Sequence, residues 1–323
     1  MNWPRGFVAK DIATCEFWPT VGLRGKWPKC LLKPALERTH PGLPRSIAPP
    51  HRLLTASMKP TLRINPAFAT RLKQHGLDTV EQIMGRDGGK VMRQAPGRIT
   101  VRLNLAEDTK LYLKRHFPPS PGAAMDGLRE WDNMEILRSL EISCPTLVAA
   151  GCGIVDGAPC SFLITEEVPD AIPLDDFLSS LCSDRGGSPW NHKRHLIRKL
   201  ADLARKLHRQ GHHHKDFYLC HLFINQHSPL DSPLTLIDLQ RLGRAHWFRR
   251  RWIVKDLAAL NYSARVEFTT HTDRLRFLLA YLGRDRLDPR ARRLIRAILR
   301  KTERIRRHDL KLQAAVPSLE ARV

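Results

Sequence analysis

A chain of 323 residues with 42% hydrophobic content is long enough to bury a sizeable core in one large or two smaller lobes. Its 54 Lys and Arg against 32 Asp and Glu leave a net charge of +22, which calls for an anionic partner: nucleic acid, an anionic membrane face or a phosphorylated substrate. No apolar run approaches the ~18 residues of a membrane-crossing helix, and no apolar secretory core opens the sequence. The seven cysteines form no C-x-x-C pair and have no zinc spacing, which points to free thiols in a reducing cytoplasm.

Residues 1–57 are rich in Pro, Trp and basic residues without a sustained period, and read either as a disordered tail or as an extension upstream of a true initiator at Met58. From Asn65, Phe68, Leu72, Leu77, Val80, Ile83 and Met84 recur at helical spacing, broken at Gly76, so that residues 58–84 read as a helical cap. Alternation then takes over. Lys90–Arg93 is a short strand, and Ala95-Pro96-Gly97 a turn. Ile99, Val101, Leu103 and Leu105 line one face of a second strand, and Leu111, Leu113 and Phe117 bracket a third that carries Lys114. Residues 124–140 are helical through Leu128, Trp131, Ile136, Leu137 and Leu140, with Glu130 and Glu135 among them.

Two further strands, 147–150 and 161–165, run into Glu166-Glu167-Val168, and a helix spans Leu174 to Leu181. A long amphipathic helix follows from His192 to Arg209, and Gly211 stops it. Then come His214-Lys215-Asp216, the apolar run Leu222-Phe223-Ile224, a Ser- and Pro-rich turn, and a second apolar run Leu234–Ile237 that ends in Asp238. Beyond a basic stretch, Arg241–Arg251, a helix from Trp252 contains Lys255-Asp256-Leu257. Helices over 275–281 and 291–305 complete the pattern, and the second crowds seven Lys and Arg, from Arg290 to Arg304, around one apolar stripe. That helix suits an anionic membrane surface, or equally a packed final helix with a solvated basic face.

The order helix, loop with an Asp, hairpin, Asp at a strand end is that of a kinase active site, where the loop reads H-R-D-L-x-x-x-N. Here it reads H-K-D-F-Y-L-C-H, with His221 where the metal-binding Asn would stand. Together with I-D-L-Q-R and R-R-R-W-I-V-K-D-L-A-A-L-N-Y-S, this segment resembles the lipopolysaccharide core kinase family (Kdo/WaaP type), and the resemblance runs from about Asn65 to Arg307. It implies an α+β, two-lobed protein-kinase-like fold. A small, mostly antiparallel five-stranded lobe over 85–168 would face a larger helical lobe over 169–310, with a tail over 311–323.

The resemblance also implies roles. Asp216 orients the acceptor hydroxyl, Asp238 holds magnesium, and Lys114 clamps the nucleotide phosphates while paired with a Glu from the following helix. Glu130, within R-E-W, matches the family's E-W pair better than Glu135. Backbone groups around Glu166 and Val168 would meet the adenine. His214 would buttress the loop, Lys215 would offset developing phosphoryl charge, and Asp256 would brace the loop backbone. His221 stands open as a metal ligand, a phosphate contact or a group orienting Asp216. Imidazole suits magnesium less well than oxygen does, which favours the last two. A zinc reading of His212-His213-His214 fails on direction, because consecutive loop residues point apart.

The cofactors implied are ATP and magnesium, and the acceptor an anionic glycolipid or sugar, heptose or Kdo, with peripheral membrane contact. A kinase of another acceptor, or a kinase-like binding platform, would share these residues, and the absence of G-x-G-x-x-G speaks for the platform. A nucleic-acid binder would explain the charge, but no nucleic-acid motif is present.

Overall fold

The computed structural model describes residues 59–106, 109–117, 124–183, 189–245, 247 and 249–315. The expectation for 1–57 falls outside them. The architecture is the two-lobed α+β arrangement, with one difference in the small lobe: its antiparallel sheet has six strands, not five. The strands are β1 (Thr61–Ile64), β2 (Lys90–Ala95), β3 (Arg98–Ala106), β4 (Thr109–His116), β5 (Leu147–Val155) and β6 (Ala158–Glu166), in the order β1-β5-β6-β4-β3-β2.

The extra strand is β1, whose four residues pair with Cys152 to Ala149 of β5. Within the segment expected to be a helical cap, Thr61–Ile64 are therefore a strand of the sheet. Helices α1 (Ala69–Gln74) and α2 (Val80–Met84) bury Leu72 and Ile83, with Leu77 of their connection, against Val101, Leu103, Leu111 and Ile164 of the sheet. A four-residue strand with one alternation carries too little periodicity to announce itself, and only its partner reveals it.

The other face of the sheet packs on α3 (Asp126–Ser139). Gly127 sets that contact, since a Cβ there would lie 2.1 Å from the Phe162 carbonyl oxygen of β6. Close approach at Gly127 brings Glu130, one turn later, under the sheet. The core on this side runs through Leu128, Leu137 and Leu163 into the large lobe, where Leu200, Phe217, Leu236 and Leu257 continue it without a break. The lobes thus share apolar packing beneath the cleft, which holds the cleft's polar groups in register.

In the large lobe β7 (Ala171–Pro173) leads into α4 (Leu174–Ser183) and α5 (Pro189–Arg209). β8 (His212–His213), β9 (Leu222–Asn225), β10 (Thr235–Leu236) and β11 (Gly243–Arg244) surround the loops of interest, and β9 pairs with both β10 and β7. Three helices follow: α6 (Arg249–Ser263), α7 (His271–Leu282) and α8 (Pro289–Ala315). α7 opens on a Thr270/Asp273 capping box and closes at Gly283 in the left-handed region. α8 runs ten residues past its expected end, so the start of the tail expected over 311–323 is helical, and 316–323 lie outside the described residues. Ala291, Ile295 and Ile298 form its buried stripe.

Candidate active site

The loop after α5 hangs on one buried carboxylate. Asp256, in the middle of α6 rather than at its start, is fully buried and accepts the backbone N–H groups of His214 at 2.7 Å and Lys215 at 2.8 Å. His208 Nε2 lies 3.2 Å from the same carboxylate, and its Nδ1 meets the Tyr281 hydroxyl at 2.9 Å. Burial alone would raise the Asp256 carboxyl's pKa, but the His208 contact and the loop N–H groups outweigh it and hold the pKa below the usual range. A charged carboxylate that gathers two successive amides bends the chain, and Lys215 adopts a left-handed φ of 72°. His214, completely buried, has Nε2 at 3.0 Å from the Ile237 carbonyl, to which it donates. Burial, then the neighbouring His221, keeps His214 neutral. The loop that carries Asp216 is thereby tied to the residue before Asp238.

Asp216 emerges from this loop with its side chain 24% exposed. Both of its carboxylate oxygens accept from Arg241 Nη1, at 3.0 and 2.8 Å. Its own carbonyl accepts from His221 Nδ1 at 2.7 Å. That bond puts the proton of a neutral His221 on Nδ1 and leaves the lone pair of Nε2 facing Asp238 Oδ2 at 3.7 Å. His221 thus reaches Asp216 through its backbone, and Asp238 through space.

Asp238 ends the β9–β10 hairpin region in a left-handed conformation, φ 57°, which Asp tolerates better than bulky residues. Lys114 of β4 stands across the cleft. Its Nζ lies 2.8 and 2.9 Å from the two Glu130 oxygens and 3.4 Å from Asp238 Oδ1. Glu130 also accepts the Leu239 N–H at 3.2 Å, and Asn133, one turn along α3, donates to the Leu239 carbonyl at 2.7 Å. Glu135, by contrast, is 54% exposed and pairs only loosely with Arg138. Burial would lower the Lys114 pKa, but the charges of Glu130 and Asp238 outweigh it and raise it. For Asp238 burial pushes up, whereas the charges of Lys114 first and of Arg98 pull harder and keep its carboxyl well below the carboxylate range.

Two groups absent from the sequence reading sit beside this clamp. Arg98, at the start of β3, donates to Gln240 Oε1 at 3.1 Å, and Gln240 in turn reaches Asp126 at the start of α3 at 2.5 Å. His116 is buried next to Lys114 with Nε2 unpartnered. Burial first, then the charges of Lys114 and Arg98, push its pKa down to about 3. Neither lies in a motif. Both are brought in by strand pairing, as Arg98 and His116 face each other across β3 and β4.

At the far end of β6, the amides of Glu166 and Glu167 donate to the carbonyls of Thr146 (2.9 Å) and Lys110 (2.8 Å), and half-buried Val168 follows. The Glu167 carboxylate holds Arg102 at 2.8 Å and Tyr112 at 3.2 Å, which ties this edge to the outer strands.

Against known sequences and structures the geometry finds close company. The model of the lipopolysaccharide kinase (Kdo/WaaP) family matches residues 74–281. The chain belongs to that family. Lipopolysaccharide core heptose(I) kinase WaaP of Pseudomonas aeruginosa is 32% identical over 225 residues, 65% of this chain and 82% of that protein. The Escherichia coli protein of the same name is 29% identical over 241 residues, 69% of this chain and 87% of its own. A solved structure titled "WaaP in complex with acyl carrier protein" superposes with a TM-score of 0.58 at 28% identity, covering 78% of this chain and 99% of that one. As a Kdo/WaaP kinase the protein is a phosphotransferase acting on a sugar hydroxyl, and membership in a kinase family implies ATP as the donor.

Among the described residues no group of three or more His, Cys, Asp and Glu converges on one point. The Kdo/WaaP site offers instead one carboxylate, Asp238. That is a sparse donor set, and it fits magnesium, which keeps water and substrate phosphate for most of its ligands. The three consecutive histidines are dispersed: His213 stacks on Trp252 at 4.5 Å, while His214 turns to Ile237. Described cysteines Cys144, Cys152 and Cys160 are free thiols.

Proposed function

We propose that this kinase transfers the γ-phosphoryl group of ATP to a heptose hydroxyl of the lipopolysaccharide inner core. The observation that carries the reading is the Lys114 ammonium held between Glu130 and Asp238, 2.8 and 3.4 Å away, with the Asp216 loop braced opposite. Heptose rather than Kdo is preferred because the similar proteins are heptose(I) kinases.

In this reading Lys114 binds the α- and β-phosphates, and Glu130 keeps its ammonium pointed into the cleft. The backbone at Glu166 and Val168 meets the adenine edge. Asp216 takes the acceptor hydroxyl's proton as the new O–P bond forms. The bond between the γ-phosphorus and the bridging oxygen breaks, and ADP leaves. Lys215 and His214 act through the loop: His214 holds it to Ile237, and Lys215 places a cation beside the developing charge. Asp238 would hold magnesium, which when bound neutralises phosphate charge. His221 fixes the Asp216 backbone.

A calorimetric titration with a non-hydrolysable ATP analogue, with and without magnesium, tests the nucleotide site. Wild type should bind in a magnesium-dependent way and Asp238→Ala should bind at least about tenfold more weakly, the loss of one charge-assisted contact. Absence of binding to folded wild type would overturn the kinase chemistry and favour a binding platform.

Among the described residues no helix is long and apolar enough to cross a membrane. Contact with an anionic membrane would go through the exposed face of α8, where Arg292, Arg293 and Arg296 lie opposite its packed stripe. Reversing those three charges should weaken liposome binding. An acyl carrier protein is a further partner to test, since the similar solved structure holds one.

A further inference from the structure

Next to Asp216 opens a groove of about 1020 Å³ between α6 and α8. Eight of its eleven lining residues are Lys or Arg and none is acidic. The helices present these cations at helical spacing: Arg251 and Lys255 from α6, Arg300, Lys301 and Arg304 from α8. Its floor holds Trp252, with Lys215, Arg251 and Lys255 gathered around one indole at 5.4, 5.4 and 5.9 Å from the ring centre. Burial, together with the charges of Arg241 and Lys301, lowers the Lys255 pKa, while Asp216 pulls the other way. Like charges packed this closely repel, and a merely solvated face does not need a concave shape or an aromatic platform. The groove is built to receive an anion.

Arg241 belongs to both places. It lines the groove, and its guanidinium occupies both oxygens of the Asp216 carboxylate. One nitrogen thus engages a lone pair on each oxygen, and an incoming hydroxyl must compete with the guanidinium for this carboxylate. The Arg241 side chain is 59% exposed, so exchanging one anionic partner for another costs little.

We propose that Arg241 is a charge gate. An acceptor that brings its own carboxylate or phosphate into the groove draws the guanidinium off Asp216 and frees the base, and an uncharged acceptor leaves the base capped. The inference rests on Asp216 being the base of the proposed kinase reaction. It adds to that reading a role for the acceptor's own negative charge, which competes with Asp216 for the Arg241 guanidinium. Arg241 is a positioning residue, since it acts through Asp216.

The test compares two forms of one acceptor, a disaccharide of heptose and an octulosonic acid, with its carboxylate free or as the methyl ester. Wild type should prefer the free acid by roughly tenfold or more in kcat/KM, the worth of one charge-assisted contact. Arg241→Gln should bring that ratio close to one, mainly by raising kcat on the ester, and Arg241→Lys should restore part of it. A ratio unchanged in Arg241→Gln, with both forms slowed alike, would overturn the gate.

A second arm needs no turnover. Titrated without nucleotide, the free acid should bind wild type more tightly than the ester, lose affinity as salt rises, and bind the doubly substituted Arg300→Gln/Arg304→Gln protein severalfold more weakly. Equal binding of acid and ester would sink the proposal. So would anionic phospholipid vesicles lacking core sugar that displace the acid, because the groove would then be a membrane surface. The ATP analogue titrated into the same samples reports the kinase assignment separately, so that its failure is not mistaken for failure of the gate.

Discussion

The two sides of the cleft handle charge in opposite ways. On the nucleotide side Lys114 is answered by Glu130 and Asp238, and Glu130 is also satisfied by the Leu239 amide. On the acceptor side one carboxylate, Asp216, faces a groove whose lining is otherwise cationic or neutral. The first is a balanced ion-pair network, buried and pre-assembled, of the kind that positions a ligand without reorganising. The second is unbalanced and more exposed, so it changes state when an anion arrives. A kinase that meets ATP of constant shape, but must choose among many sugars, gains specificity by leaving the choice to the side that can still move.

Substitutions separate the two sides in order of effect. Asp216→Asn should be the most damaging, lowering kcat by about 10²–10⁴-fold, the usual range for loss of a general base, while analogue binding on the other side persists. Single-turnover phosphorylation of core glycolipid reads it. Next comes the clamp. Glu130→Ala strands a buried ammonium and the Leu239 amide, and should destabilise the fold by about 3 kcal/mol or more. Glu135→Ala on the same helix should stay within about 0.5 kcal/mol, as exposed positions do. Thermal or urea unfolding of both variants distinguishes a specific clamp from a generally acidic helix.

The smallest effect concerns pH. His116 titrates near 6.5 when unfolded and at about 3 when folded, and burial is the chief cause. The unfolded chain therefore takes up the proton first, and stability falls as pH drops from 6.5 toward 3. His213, lowered to about 4 by burial, adds to the same loss. His116→Gln should flatten the decline in unfolding midpoint across that window by a few degrees. An unchanged slope would mean that other groups carry the acid response.

Motifs and periodicity went far in this chain. The helical runs, the Lys114 strand, the two aspartates and the family resemblance were all legible, because each is encoded by local spacing or by a short string of residues. Glu130 was separated from Glu135 by its neighbour Trp131 in the motif, and its burial at 3% agrees with that choice. The misses share a cause. β1 exists because β5 offers it an edge, and Arg98 and His116 reach the site because β3 and β4 pair in a particular register. Arg241 was read only as the start of a basic stretch, although it lies three residues from Asp238 in a recognised motif.

By itself, then, the sequence determined the order of elements, the excess of positive charge and the two motif strings that carry Asp216 and Asp238, since these depend on residues near one another along the chain. Tertiary structure alone decided which cation each of the two aspartates meets. Lys114 and Asp238 are 124 residues apart and Asp216 and Arg241 are 25 apart. Coulomb attraction acts on distance in space, and chain spacing does not specify that distance until strands pair and helices pack. The same packing of α6 on α8 turned a run of basic residues into a groove with a shape, a depth and a carboxylate at its rim.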